Sequence, residues 1–235
     1  MNYFYHPGLD TSVTQFSFPP EESRHIVKVL RRKEGDILNI TNGKGHVFRA
    51  KITMVDPKRC TAQVLDSKKS LPPRSELHLA VAPTKKLDRF QWFLEKATEI
   101  GVTEVTPILC QRSERKKLAT DRLQRIMGEA MKQSLRSYLP RLNDPVPYQE
   151  FLAREHPGLR FIAHCEKDEK MDLKRRVAAD KDVLILIGPE GDFTRGEIDA
   201  ACKRGFLPVS LGESRLRTET AALVACVTVN LINSG

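Results

Sequence analysis

Cysteine is scarce and scattered in this 235-residue chain: Cys60, Cys110, Cys165, Cys202 and Cys226 form no CxxC pair and no zinc-type spacing. That excludes a disulfide scaffold and a cysteine-built metal site. Each thiol is expected to pack as a small hydrophobe, and no metal is expected. Apolar runs are short too; none approaches the roughly 18 residues that span a bilayer, so no membrane partner is expected. The opening MNYFYHPGLD lacks the basic-then-apolar order of a secretory signal, and the expected compartment is the cytoplasm. Neither a GxxxxGK[ST] phosphate loop nor a GxGxxG turn occurs, which removes two common nucleotide-binding folds.

What is plentiful is positive charge, unevenly placed. The net charge is +9. Residues 1–141 carry 26 Lys and Arg against 15 Asp and Glu, whereas the remaining 94 carry 13 against 15. Such asymmetry points to a polyanionic partner for the first part and different work for the second.

Two domains are expected, residues 1–70 and 75–235, joined by the polar, basic stretch SKKSLPPRS at 67–75, stiffened by its two prolines. In the first, Pro19-Pro20-Glu21-Glu22 opens a helix, with proline in the first turn and acids at the positive end of the dipole. Ile26, Val29 and Leu30 would form its apolar face. Alternation predicts strands over 37–41, 46–55 and 60–65. Asn42-Gly43-Lys44-Gly45 and Asp56-Pro57-Lys58 supply turn chemistry between them. A small β-barrel is the expected product.

Beyond residue 75 strands alternate with helices. Strands are expected over 77–82, 102–109, 160–165, 183–187 and 206–211. One helix carries Leu87, Phe90, Leu94 and Ala97 and stops at Gly101. A second, over 118–135, turns Leu123, Met127, Ala130 and Met131 inward. A capping box, Thr194 with Glu197, opens a third, and the last covers 218–232. This is α/β architecture: an open, mainly parallel sheet covered on both faces. The last helix is apolar nearly all round, which implies burial on every side and a homodimer in which it joins the interface. Trp92, between apolar helix positions, is expected in the core or in that dimer contact.

Two loops each follow a strand at its carboxyl end, where open α/β sheets bind ligands. One is Ile187-Gly188-Pro189-Glu190-Gly191-Asp192; the other runs from Leu211 and Gly212 to Ala221. Glycine lets backbone approach a ligand closely, and Pro189 fixes the turn. The residues by themselves reach only this far.

GPEGDFTRGE at 188–197, followed by LGESRLRTETAA at 211–222, resembles the knotted SPOUT methyltransferases, and within them the bacterial 16S ribosomal RNA uridine-N3 methyltransferases. Further landmarks are His25-Ile-Val-Lys-Val-Leu30-Arg31 with Gly35-Asp36, Lys96-Ala-Thr-Glu99-Ile-Gly101, and Gln133-Ser134-Leu-Arg136. The resemblance implies a PUA-like RNA-binding barrel, then an α/β domain tied in a trefoil knot over about 160–235. It implies S-adenosyl-L-methionine as cofactor, 16S ribosomal RNA or the small subunit as partner, and a homodimer. Two departures stand out. Asp192 replaces a usual second glycine, and Ser214-Arg215-Leu216-Arg217 stands where an Arg-Ile-Leu-Arg order is usual.

Carried onto this chain, the resemblance assigns Ile187, Gly188, Pro189, Glu190, Gly191, Leu211, Gly212, Leu216, Thr220 and Ala221 to the cofactor. Arg217 would steady charge on the uracil oxygens, since guanidinium is always charged and has a fixed donor fork. Glu219 is a candidate base or a first-turn cap. Arg31, Arg32, Lys33, Arg112, Gln133 and Arg136 would hold RNA. His25 and His164 are read as packing or hydrogen-bonding residues. Transfer to a ribose 2′-hydroxyl or another base, and a non-catalytic RNA-binding factor, are the alternatives.

Overall fold

The computed structural model describes residues 3–233, and the chain divides into two compact units. One comprises the residues up to Pro72 together with Gly128–Leu139; the other comprises Pro73–Met127 and the residues from Pro140 onward.

The first unit contains β1 (Phe4–Tyr5), β2 (Gln15–Ser17), α1 (Pro20–Arg24), β3 (Ile37–Thr41), β4 (His46–Met54) and β5 (Thr61–Lys69). Its sheet runs in the order β1-β3-β4-β5-β2. β1 and β2 are opposite edges, yet the Phe4 ring lies 5.9 Å from that of Phe18 and the His6 ring 5.1 Å from that of Phe16. The sheet therefore curls until its edges face each other, around buried Ile26, Leu38, Ile40, Phe48, Ala50 and Ile52. Residues 128–139 pack with this unit: the Thr41 hydroxyl donates to the Ser137 carbonyl at 3.1 Å.

Two expectations need correction here. β5 continues through Lys69, paired with His46, so residues 67–69 belong to a ladder and not to a linker. Backbone pairing tolerates the exposed polar side chains that made the stretch look unstructured. The helix face also differs. After α1 the turn widens over His25–Val29, and the Leu30 amide bonds the His25 carbonyl five residues back at 2.9 Å. A wider turn rotates later side chains off the α-helical face. Ile26 is buried, while Val29 and Leu30 are 64% and 43% exposed and His25 is exposed as well.

The second unit supplies β6 (Leu77–Val81), α2 (Leu87–Ile100), β7 (Glu104–Leu109), α3 (Thr120–Gln133, its last residues in the first unit), β8 (Arg141–Leu142), β9 (Val146–Pro147), α4 (Tyr148–Ala153), β10 (Leu159–Ala163), β11 (Met171–Asp172), α5 (Leu173–Arg176), β12 (Val183–Ile187), α6 (Arg195–Lys203), β13 (Leu207–Ser210) and α7 (Thr218–Asn233). The sheet order is β11-β13-β10-β12-β6-β7-β8, with β9 also on β7 and every pairing parallel. One face buries Ile162, Leu184 and Leu186 against Phe193, Ile198, Ala201 and Phe206. Over the other, α2 packs against α7: the Cys226 thiol lies 3.9 Å from the Ala97 carbonyl and Arg89 3.7 Å from Glu219. Both halves of the α6 capping box form.

α7 is not covered on every side within one chain. Ala222, Ala225, Cys226 and Val229 are buried, but Val227 and Leu231 are 38% and 70% exposed. Trp92 is 47% exposed, which removes it from the core. Cys60, Cys110 and Cys226 are buried as expected, whereas Cys165 and Cys202 are exposed at loop and helix surfaces.

Candidate active site

Because β10 lies between β12 and β13, three loops share one carboxyl edge of the sheet, the place where such sheets take ligands. Two adjoining cavities lie among them, of about 830 and 270 Å³. Ala163, Cys165, Asp192, Arg215, Leu216 and Ala221 line both. Gly191, Leu211 and Gly212 line the larger; Ile187, Gly188, Pro189 and Glu190 line the smaller. Thr220 faces neither. The two loops singled out in the sequence are thus brought together, and the loop after β10 stands between them.

The loop at 188–192 is fixed from several directions. Glu190 accepts the Lys85 amide at 2.8 Å, Arg112 donates to the Gly191 carbonyl at 2.7 Å, and the Thr218 hydroxyl donates to the Gly188 carbonyl at 3.0 Å. Gly188 sits in tight space: a Cβ there would lie 3.0 Å from the buried Phe193 ring, which would have to give by a few tenths of an ångström. Asp192 has φ +61°, the left-handed region that glycine visits freely and Asp tolerates through local bonding. Its Oδ1 accepts the Phe193 amide at 2.8 Å and its Oδ2 the Cys165 amide at 2.7 Å. Asp192 therefore holds a glycine-like turn and ties the loop after β12 to the loop after β10.

Sequence reasoning missed that middle loop. Residues 160–165 read as one strand, which in the structure stops at Ala163, and no motif marks the two residues that follow. His164 is only 7% exposed, with its Nε2 buried and unpartnered. Burial pushes its pKa down, and the Lys170 ammonium beside it adds to the shift. Arg217 lines the smaller cavity. Glu219 lines neither: it is buried in the first turn of α7, facing Arg89. Arg112, expected on RNA, is engaged with Gly191.

In the first unit Arg31, Arg32, Lys33 and Gln133 are exposed and Arg136 is half-buried. Arg31 sits at φ +51°, and Arg32 lies 3.9 Å from the Asp36 carboxylate. Among the described residues no group of three or more His, Cys, Asp or Glu could hold a metal, and no helix is long and apolar enough to cross a membrane.

Residues 71–230 match the model of an RNA methyltransferase domain, and residues 18–65 that of an RNA methyltransferase PUA domain. The chain belongs to the RNA methyltransferase family. It is 30% identical over 213 residues to a ribosomal RNA small subunit methyltransferase E of Rickettsia conorii, covering 89% of this chain and 87% of that one. Its fold superposes with a TM-score of 0.91 on a “probable rRNA-methyltransferase” of Porphyromonas gingivalis, 40% identical, covering 100% and 99% of the two chains. A ribosomal RNA small subunit methyltransferase E of Neisseria gonorrhoeae, solved with S-adenosyl methionine bound, gives 0.87 at 27% identity, covering 99% and 98%. In this methyltransferase the curled sheet is the PUA-type part, and the parallel sheet carries the cavities.

Proposed function

We propose that this enzyme transfers a methyl group from S-adenosylmethionine to N3 of a uridine in 16S ribosomal RNA. The observation that carries the reading is the convergence of three strand-end loops on the paired cavities in a chain of the RNA methyltransferase family. The walls fit the cofactor. Ile187, Leu216, Ala221 and Val209 offer apolar surface to a flat ring, and Gly188, Gly191 and Gly212 bring bare backbone to polar edges. When bound, S-adenosylmethionine supplies an electrophilic methyl on a positive sulfonium.

The chain’s own work is then to orient and to steady charge. Arg217, in the wall of the smaller cavity, offers its donor fork to the uracil carbonyl oxygens as N3 loses its proton. Glu219 is assigned to bracing α7 against Arg89, 3.7 Å away, because it lines neither cavity. Arg112 shapes the loop through Gly191. Arg31, Arg32 and Lys33, with Gln133 and Arg136, hold RNA phosphates without reading sequence.

Two copies pair through α7, where Val227 and Leu231 are uncovered, with exposed Trp92 on the neighbouring α2. The substrate places this work in the cytoplasm, on ribosomal RNA or the assembling small subunit. Nucleoside mass spectrometry of ribosomal RNA treated with enzyme and cofactor should yield N3-methyluridine. A ribose-methylated nucleoside, or none, would overturn the reading.

A further inference from the structure

Asp192, Ser214 and Arg215 set this chain’s site apart from the pattern it resembles, and the structure brings the two charged ones to the same place. Asp192 and Arg215 each line both cavities. The Asp192 carboxylate is held still by the Phe193 and Cys165 amides at 2.8 and 2.7 Å. A carboxylate offers about four acceptor positions, so these two bonds leave it able to take another donor. Arg215 is exposed and, among the described residues, makes no ion pair within 4.0 Å.

Both charges lie close to Cys165. Burial pushes that thiol’s pKa up, Asp192 adds to the rise and Arg215 opposes it. The acid and the base thus act on one side chain without touching each other. Opposite charges left apart at a cavity wall suit a ligand that itself carries both signs.

S-adenosylmethionine ends in such a group, an amino acid with one ammonium and one carboxylate. We propose that Asp192 and Arg215 clamp this zwitterionic end, the carboxylate taking the ammonium and the guanidinium taking the carboxylate. Arg215 suits its half because its planar fork matches a carboxylate with two donors. Asp192 suits the other because its turn and two amide bonds fix the acceptor in advance. The proposal rests on the reading that the paired cavities hold S-adenosylmethionine.

Calorimetry on the intact 235-residue chain tests it with three probes: S-adenosylmethionine, S-adenosylhomocysteine, and 5′-methylthioadenosine, which lacks the amino-acid end. Asp192→Asn keeps the shape and one carbonyl acceptor; Arg215→Gln removes an exposed charge that holds no ion pair among the described residues. Each should weaken the first two probes about tenfold or more, the effect of removing one charge-assisted bond. Methylthioadenosine should stay within about twofold of wild type. Equal weakening of all three would mean the residues only shape the loop, and overturns the clamp. Weaker binding of S-adenosylmethionine alone in Asp192→Asn would place that carboxylate on the sulfonium, and overturns it too, as does unchanged binding of all three. If wild type itself binds none of the probes, the cofactor reading has failed and the clamp with it.

Discussion

A guanidinium differs from an ammonium in shape more than in charge, and Arg217 is where that difference should show. Arg217→Lys keeps a cation in the wall of the smaller cavity but loses the planar fork. It should fold, bind cofactor normally, and turn over about 10²–10³ times more slowly, the usual effect of removing one well-aimed donor. Raising pH should restore part of the rate, because more uridine is then already anionic. A variant with the wild-type single-turnover rate would remove Arg217 from the chemistry. A second residue, near the amino end of β6, contributes to how stability varies with pH. His78 lies 2.7 Å from the Thr106 hydroxyl. Burial pushes its pKa down to about 4, with His156 and Arg141 adding and Glu104 opposing. The unfolded chain binds that proton near pH 6.5, so the contribution is fully present above 6.5 and is lost as pH falls through 4. It amounts to on the order of 3 kcal/mol. Melting curves from pH 7 to 4.5 should be flatter for His78→Gln than for wild type; parallel curves would refute the assignment.

Elements carry the next level of constraint, and the loop after β12 is the tightest of them. Gly188→Ala would press a Cβ against the Phe193 ring and backbone at 3.0–3.2 Å. Phe193 is fully buried, so the ring has little room to give, and overpacking of this kind costs about 1–3 kcal/mol. The variant should melt earlier and bind cofactor poorly; an unchanged melting temperature would show that the loop yields. Long, periodic elements were legible in the sequence for plain reasons. β12 is a continuous apolar run, α2 shows Phe90, Leu94 and Ala97 at helical spacing, and Thr194 with Glu197 announces α6. β8, β9, β11, α4 and α5 were not legible, since two to six residues carry no period. The place of β10 between β12 and β13 was hidden as well. Strand order is a long-range property, and it is what makes His164 and Cys165 part of the site. Asp192 looked anomalous in sequence, and its φ of +61° gives the reason: the position asks for a glycine-like turn, which Asp meets by bonding its neighbours.

For the whole molecule the division of charge becomes a division of labour. If the basic turn after α1 holds RNA phosphates, Arg31→Ala with Arg32→Ala should weaken RNA binding and leave cofactor affinity unchanged, because the cavities belong to the other unit. Removing one arginine–phosphate pair should reduce the log–log salt slope by roughly 0.7–0.9, so an unchanged slope would clear both arginines. Self-association is tested separately. A helix that leaves Val227 and Leu231 uncovered while burying Ala222, Ala225 and Val229 presents apolar surface that a second copy can cover. Light scattering should report about twice the 26.7 kDa chain mass even at dilution. Leu231→Glu should shift that value toward a single chain. The leucine is 70% exposed within one chain, so the charge leaves the subunit’s own core undisturbed and is felt only where two copies meet. The subunit should therefore keep its melting transition while the mass falls. Wild type at 26.7 kDa would refute the dimer, and an unfolded Leu231→Glu variant would mean that the end of α7 is buried within its own subunit after all.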